Sequence, residues 1–176
     1  MQKAIAKGWT AGAKFTYRKI NSGMDDFCGH YAMVDWAADN GYTAFDPGTL
    51  AACIVLNPGK DVSLAMDLKN DGNLTNVTIP ASYFRLAPYT RTYKALELTL
   101  EKPFDGKWGM QFSYVLAKSR GTAEGYVQSQ LNQEDAGITQ DFDFGSFTDG
   151  AKGYLPNDRR HTFKLFGTYA ITDEFA

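Results

Sequence analysis

Acidic side chains gather late in this chain, at Glu134, Asp135, Asp141, Asp143 and Asp149, and a pair of carboxylates about one bond is what glycoside hydrolysis requires. Most acidic loops are merely solvated, and no base-orienting partner accompanies these, so the chain is not expected to be an enzyme. A second run, Asp67-Leu68-Lys69-Asn70-Asp71-Gly72-Asn73, offers hard oxygen ligands of the kind calcium prefers. It lacks the closing glutamate of a hand-type loop, and a turn is the preferred reading. His161 stands beside Asp158, Arg159 and Arg160, which invites a hydrolytic triad. No Gly-x-Ser-x-Gly elbow or comparable nucleophile is present, so His161 is read instead as a residue at a strand entrance. The two arginines suit Asp158, carboxylates of a neighbouring strand or the phosphates of lipopolysaccharide, because guanidinium forks match all of these.

Cys28 and Cys53 fall in one loop-like region, close enough in sequence for a cross-link to remove useful loop entropy. A disulfide is expected if that loop is outside the cell, the alternative being two unrelated buried thiols. There is no CxxC, and His30 is the single histidine near either cysteine, so neither a metal site nor a cofactor is expected. The loop aromatics Trp36, Tyr42, Phe45, Tyr126, Phe142, Phe144 and Phe147 are the candidate contacts for an unknown small ligand. Such stacking surfaces suit sugars, siderophores or peptides alike.

These residues need a scaffold, and composition restricts what it can be. The chain has 176 residues, a formal net charge of −2 and no dense Lys/Arg run, which argues against nucleic acid as a partner. Aromatic residues make up 14% and hydrophobic residues 44%, yet the mean hydropathy is −0.35, a balance that suits strands with one polar face. Apolar stretches such as Ala51 to Leu56 fall far short of the roughly 20 residues of a membrane-spanning helix. The amino terminus, Met1 to Gly8, has positive charge but no continuous apolar core, so it is not a secretory signal, and the chain is read as an internal or truncated piece of something larger.

The strongest pattern is strict alternation. From Tyr93 to Glu101, Lys94, Leu96, Leu98 and Leu100 oppose Ala95, Glu97, Thr99 and Glu101; from Trp108 to Lys118, Trp108, Met110, Phe112, Tyr114 and Leu116 oppose Gly109, Gln111, Ser113, Val115 and Ala117. Only Lys102 to Lys107, with Pro103 and Asp105-Gly106, separates the two, so they should form an antiparallel hairpin whose apolar faces coincide. Trp9 to Ile20 and His161 to Ile171 repeat the design, with Phe166 alone breaking the polar side of the latter. Each segment has about 9 to 12 residues, enough for a tilted strand to cross the hydrocarbon layer. Aromatics near their ends, at Trp9, Tyr17, Trp108, Tyr114, Phe163 and Tyr169, match interfacial girdles, although a β-sandwich core also favours them.

The expected fold is therefore all-β: antiparallel up-and-down strands over about 9–20, 93–101, 108–118 and 161–171, part of a transmembrane β-barrel. The side facing lipid would carry Phe15, Leu96, Leu98, Leu100, Met110, Phe112, Tyr114, Phe163, Leu165 and Tyr169. Two long connectors, about 21–92 and 119–158, would be extracellular loops. Within them Asp61 to Leu68 and Asn76 to Ile79 read as short strands that could extend the wall. Asp35 to Asn40 and Gln128 to Asp135 read as helical turns.

With the strands placed, YKALELTLEKP (Tyr93 to Pro103), the WxxxxSYxxAKS strand (Trp108 to Ser119, with Trp108 taken as its first letter), the NDRRHTF entry (Asn157 to Phe163) and GWTAGAKFTYRKINSGMDD (Gly8 to Asp26) resemble barrel segments of TonB-dependent outer-membrane receptors, in particular an Oar-like subgroup. The resemblance implies a place in the carboxy-terminal half of a large barrel of about 22 strands, in a Gram-negative outer membrane. It also implies uptake of a nutrient powered by the TonB system through a plug domain, which is not seen in this chain. Its expected partners are outer-membrane lipid, an unknown small ligand and, by way of the plug, the TonB system. The alternative is a secreted or surface β-sandwich that binds carbohydrate or another ligand without transport; a weaker third reading is a passive barrel piece.

Overall fold

A computed structural model describes residues 1–6, 8–127, 129, 131–132 and 139–172. Its strands and helices are distributed over two compact units, one formed by residues 1–18, 92–119 and 157–176, the other by 19–91 and 120–156. The fold is mostly antiparallel β-sheet with few and short helices, and among the described residues no helix is long and apolar enough to cross a membrane.

The first unit is a ribbon of long strands. β1 (Gln2–Ala6), β2 (Trp9–Ile20), β7 (Arg91–Lys102), β8 (Trp108–Gly121) and β10 (His161–Tyr169) lie side by side in the order β1-β2-β7-β8-β10. β2 has the limits that alternation predicts, β7 and β8 run slightly beyond theirs, and β10 stops short of Ile171. The register of β8 with β10 puts Phe163 opposite Tyr114, Leu165 opposite Phe112 and Tyr169 opposite Trp108. On the reverse face Lys164 meets Ser113 and Phe166 meets Gln111. Apolar thus meets apolar and polar meets polar, as a period of two demands when each face has its own surroundings.

β1 is a strand that alternation did not reveal. It pairs antiparallel with β2, Gln2 opposite Gly12 and Lys3 opposite Ala11, with an irregularity between Ala4 and Ala6. The terminal ammonium donates to the Ala13 carbonyl at 3.0 Å. Between β7 and β8 the turn is closed by Asp105, whose Oδ1 accepts from the backbone N–H groups of Lys107 and Trp108, both at 3.0 Å. Gly106 sits at φ +94°, where a side chain would be strained. Lys102 Nζ donates to the Trp108 carbonyl at 2.9 Å and lies 4.2 Å from the centre of the Trp108 ring.

The second unit takes in most of the two long connectors and gives them a core of their own. Residues from both connectors share a buried cluster that includes Phe27, Met33, Met66, Ile79, Phe84 and Phe142. β3 (Asp25–Phe27) pairs with β4 (Ile54–Leu56), and β5 (Val62–Met66) with β6 (Thr75–Ile79). The two short strands read within Asp61 to Leu68 and Asn76 to Ile79 therefore pair with each other and do not lengthen the wall. α1 (Tyr31–Asp39) covers most of the helical turn expected over Asp35 to Asn40, and α2 (Ala81–Phe84) is a single turn that buries Phe84. α3 (Gly145–Thr148) and β9 (Gly153–Tyr154), which pairs with the end of β8, lie in the later connector. The turn read over Gln128 to Asp135 lies for the most part outside the described residues.

Candidate functional site

The loop aromatics separate into two groups. Phe142 is fully buried and stacks on Tyr89 with ring centres 5.6 Å apart, so it is a core residue and not the ligand contact expected of it. Phe142 stands between Asp141 and Asp143 in sequence, yet a ring from the other connector covers it. Trp36 and Tyr42 stack on each other at 5.9 Å and, with Phe45, are half-buried against the same core. Tyr126, Phe144 and Phe147 are exposed, the last two meeting edge to face at 5.4 Å.

Phe147 also lines a cleft of about 420 Å³ together with Thr122, Glu124, Asp141, Tyr154 and Leu155. The Arg120 guanidinium lies 4.8 Å from the Tyr154 ring centre. Glu124 is buried and accepts from the Ser129 backbone N–H and, at 2.6 Å, from its hydroxyl. Burial first, and then the charge of Glu124, raises the Asp141 carboxyl above the ordinary aspartate range. Two carboxylates between aromatic walls can hold a polyhydroxylated or cationic group by hydrogen bonds and stacking. Glu124 and Tyr154 escaped sequence reasoning because neither stands in a recognisable motif; the chain separation between them hid their common cleft.

The carboxylates first grouped by sequence do not converge. Glu134 and Asp135 lie outside the described residues. Asp143 is raised by burial and then by the charge of Asp26, whereas Asp141 answers to Glu124, and Asp149 is exposed. Asp25, unmarked by sequence, is fully buried; it accepts from the Thr139 hydroxyl at 2.7 Å and from the Asp26 backbone N–H at 3.0 Å. Desolvation pushes its carboxyl up to about 6, against the hydrogen bonds from Thr139 and Asp26 N–H that favour the charged form.

Elsewhere the possible metal ligands have structural duties. Cys28 and Cys53 are joined by a disulfide, so the grouping of Asp26 with both sulfurs offers no thiolates. His30 Nε2 lies 2.9 Å from the Ala51 carbonyl. In the Asp67 turn the carboxylate accepts from the N–H groups of Asp71 and Gly72 at 3.0 and 2.7 Å, with Asn70 and Gly72 at positive φ. These bonds, that of Gly72 first, hold Asp67 below its ordinary range.

At the strand entrance, Tyr114 Oη lies 2.9 Å from His161 Nδ1 and the two rings stack. Arg160 pairs with Asp158 at 2.8 Å, and Asp158 also accepts from Ser119 N–H at 2.6 Å. Arg159 is exposed. Along the long-stranded sheet, Phe15 is 69% exposed and Phe163 and Leu165 are each 67% exposed. Leu96, Leu98 and Tyr169 are exposed too, while Leu100, Met110, Phe112 and Tyr114 are half-buried. On the polar face of β10, Phe166 is 64% exposed.

No protein-family model matches the chain, and no solved structure matches it. Over 101 residues it is 30% identical to the TonB-dependent transporter Oar of Myxococcus xanthus, a match covering 56% of this chain and 10% of the transporter. The chain thus spans about a tenth of the length of the curated relative it matches. That similarity ties just over half of the chain to a TonB-dependent transporter.

Proposed function

We propose that this chain is a piece of the barrel wall of a TonB-dependent outer-membrane receptor, with the second unit acting as a ligand-capturing element outside the membrane. The observation that carries this reading is the uncovered apolar face. Phe15, Phe163 and Leu165, three large side chains on the same alternation phase, are all more than half exposed, in strands whose registered partners continue the apolar face. Exposing such a band to water is costly at about 25 cal/mol per Å²; acyl chains remove that cost. In the β-sandwich alternative a second sheet would cover that face, and among the described residues the first unit is one sheet. Similarity to a TonB-dependent transporter supports the same reading.

The role is binding and passage of a ligand without covalent chemistry. The cleft and the rings of Tyr126, Phe144 and Phe147 would meet the ligand. Energy would reach the lumen from the TonB system through a plug, as the resemblance implies. The test is sedimentation of the full chain with and without detergent. The reading expects a monodisperse species in micelles and association without them; a monomer that stays soluble in plain buffer overturns it.

A further inference from the structure

The apolar face of the wall ends in cations. On β7 the phase that carries Leu96, Leu98 and Leu100 continues to Lys94; on β8 the phase of Phe112, Tyr114 and Leu116 continues to Lys118. On the approach to β10 the phase of Phe163 and His161 continues to Arg159. All three are exposed.

Strand pairing brings them to one level. His161 lies opposite Leu116, and the ladder continues outward with Ala117 N–H donating to the Arg160 carbonyl at 2.9 Å. Two residues outward from the first pair, Arg159 therefore faces Lys118. Beyond the far end of β7 and β8, Thr122 N–H donates to the Thr90 carbonyl at 2.9 Å. Counting four residues inward on each strand brings Lys94 level with Lys118. Neighbouring strands lie about 5 Å apart, and extending the two registers puts Lys94 on β7, Lys118 on β8 and Arg159, two residues before β10, at one level. Like charges directly opposite one another on a sheet are destabilising unless a counter-charge joins them.

Among the described residues no carboxylate pairs with Lys94, Lys118 or Arg159. Asp158 is on the opposite phase, where it holds Arg160 and Ser119 N–H and also feels the charge of Lys118; Glu97 and Glu101 share that opposite phase on β7. Lys94 Nζ lies 5.6 Å from the Tyr17 ring centre, which keeps its charge on the apolar side of the ribbon.

We propose that Lys94, Lys118 and Arg159 form a binding site for the phosphate groups of an anionic lipid headgroup, seated at the level where the acyl-facing band of the wall ends. The proposal rests on the membrane reading above. Headgroup phosphates lie immediately beyond the acyl layer, the position the three cations occupy relative to Leu96, Leu116 and Phe163. Arginine can grip two phosphate oxygens at once, and the lysines act as point charges.

The experiment measures binding of the full chain to phosphatidylcholine vesicles and to the same vesicles carrying a phosphomonoester lipid, phosphatidic acid. The expected result is binding to both, tighter to the second. The gain should fall roughly fivefold for each of K94Q, K118Q and R159Q, vanish in the triple variant and return in the charge-retaining K94R/K118R variant. A gain unchanged in the triple variant overturns the proposal and leaves the membrane reading standing. So does a gain abolished by inorganic phosphate at matched concentration, which would make the site one for the free ion. Failure of the wild-type chain to bind phosphatidylcholine vesicles counts against the membrane reading itself, and the proposal falls with it.

Discussion

The hydroxyl of Thr139 donates to the carboxylate of Asp25 at 2.7 Å, joining two residues 114 positions apart inside a fully buried setting. Because Asp25 has its folded pKa raised from 3.8 to about 6, the folded chain keeps a proton that the unfolded chain has released across that window. Stability contributed at this site is thus greatest below the unfolded value and falls as pH rises toward 6. Asp67, Asp105 and Asp158 are shifted downward and act with the opposite sign, so the site must be isolated by difference. Asp25→Asn cannot ionise. Relative to wild type, the variant should gain on the order of 3 kcal/mol between about pH 4 and pH 7, read from urea unfolding at each pH. A constant difference between the two proteins would contradict the assignment.

The disulfide between Cys28 and Cys53 closes a loop of sequence separation 25. In the chain-entropy picture this stabilises the fold by about 3 kcal/mol. About a third of that loop is α1, whose Ala32, Met33 and Ala37 are buried, so the loss should be concentrated in the second unit. Replacing both cysteines by serine should speed amide exchange in α1 and β4 while leaving β8 and β10 unchanged. Equal acceleration in all of them would show that the two units do not unfold separately.

Much of the long-stranded sheet is legible in the sequence. A period of two reports two surroundings directly, and it placed Trp9 to Ile20 and set β7 beside β8 across their short turn. β1 was not legible, because Lys3 interrupts a five-residue strand that has no partner pattern of its own. The second unit was hidden for a different reason. Its core draws Phe27, Phe84 and Phe142 from segments far apart in sequence, and burial shared over such separations leaves no local period. The site suffered likewise: Glu124 and Tyr154 meet only through the fold, and the buried Phe142 resembles its exposed neighbour Phe144 in sequence.

Gly121 provides a sharper test of packing. A Cβ at this position would lie 2.0 Å from the Thr90 carbonyl oxygen, an atom already held by the Thr122 N–H at 2.9 Å. Backbone cannot yield as a flexible side chain does. Gly121→Ala should therefore cost about 1 to 3 kcal/mol through forced displacement. Gly106→Ala, which has open space around its Cβ and pays only for its positive φ, should cost about 1 kcal/mol. Denaturant midpoints of the two variants provide the comparison, and a larger loss at Gly106 would mean that the strand end is free to move.

The two faces of the wall should respond oppositely to charge. Ser113 lies opposite Lys164 in the β8–β10 register, so its face already accommodates an ammonium group at mid-strand. Phe112, one residue away, lies opposite Leu165, with no charge at that level in either strand. If this face meets acyl chains, a lysine at Leu98 or Phe112 must leave water for hydrocarbon, at about 2 to 4 kcal/mol near the midplane. A lysine at Thr99 or Ser113 should change stability little. Unfolding measured in vesicles separates the two outcomes. Equal losses on both faces would mean that both are enclosed by protein, as in a sandwich, and the greasy exposure of Phe163 and Leu165 would then need a protein partner instead of lipid.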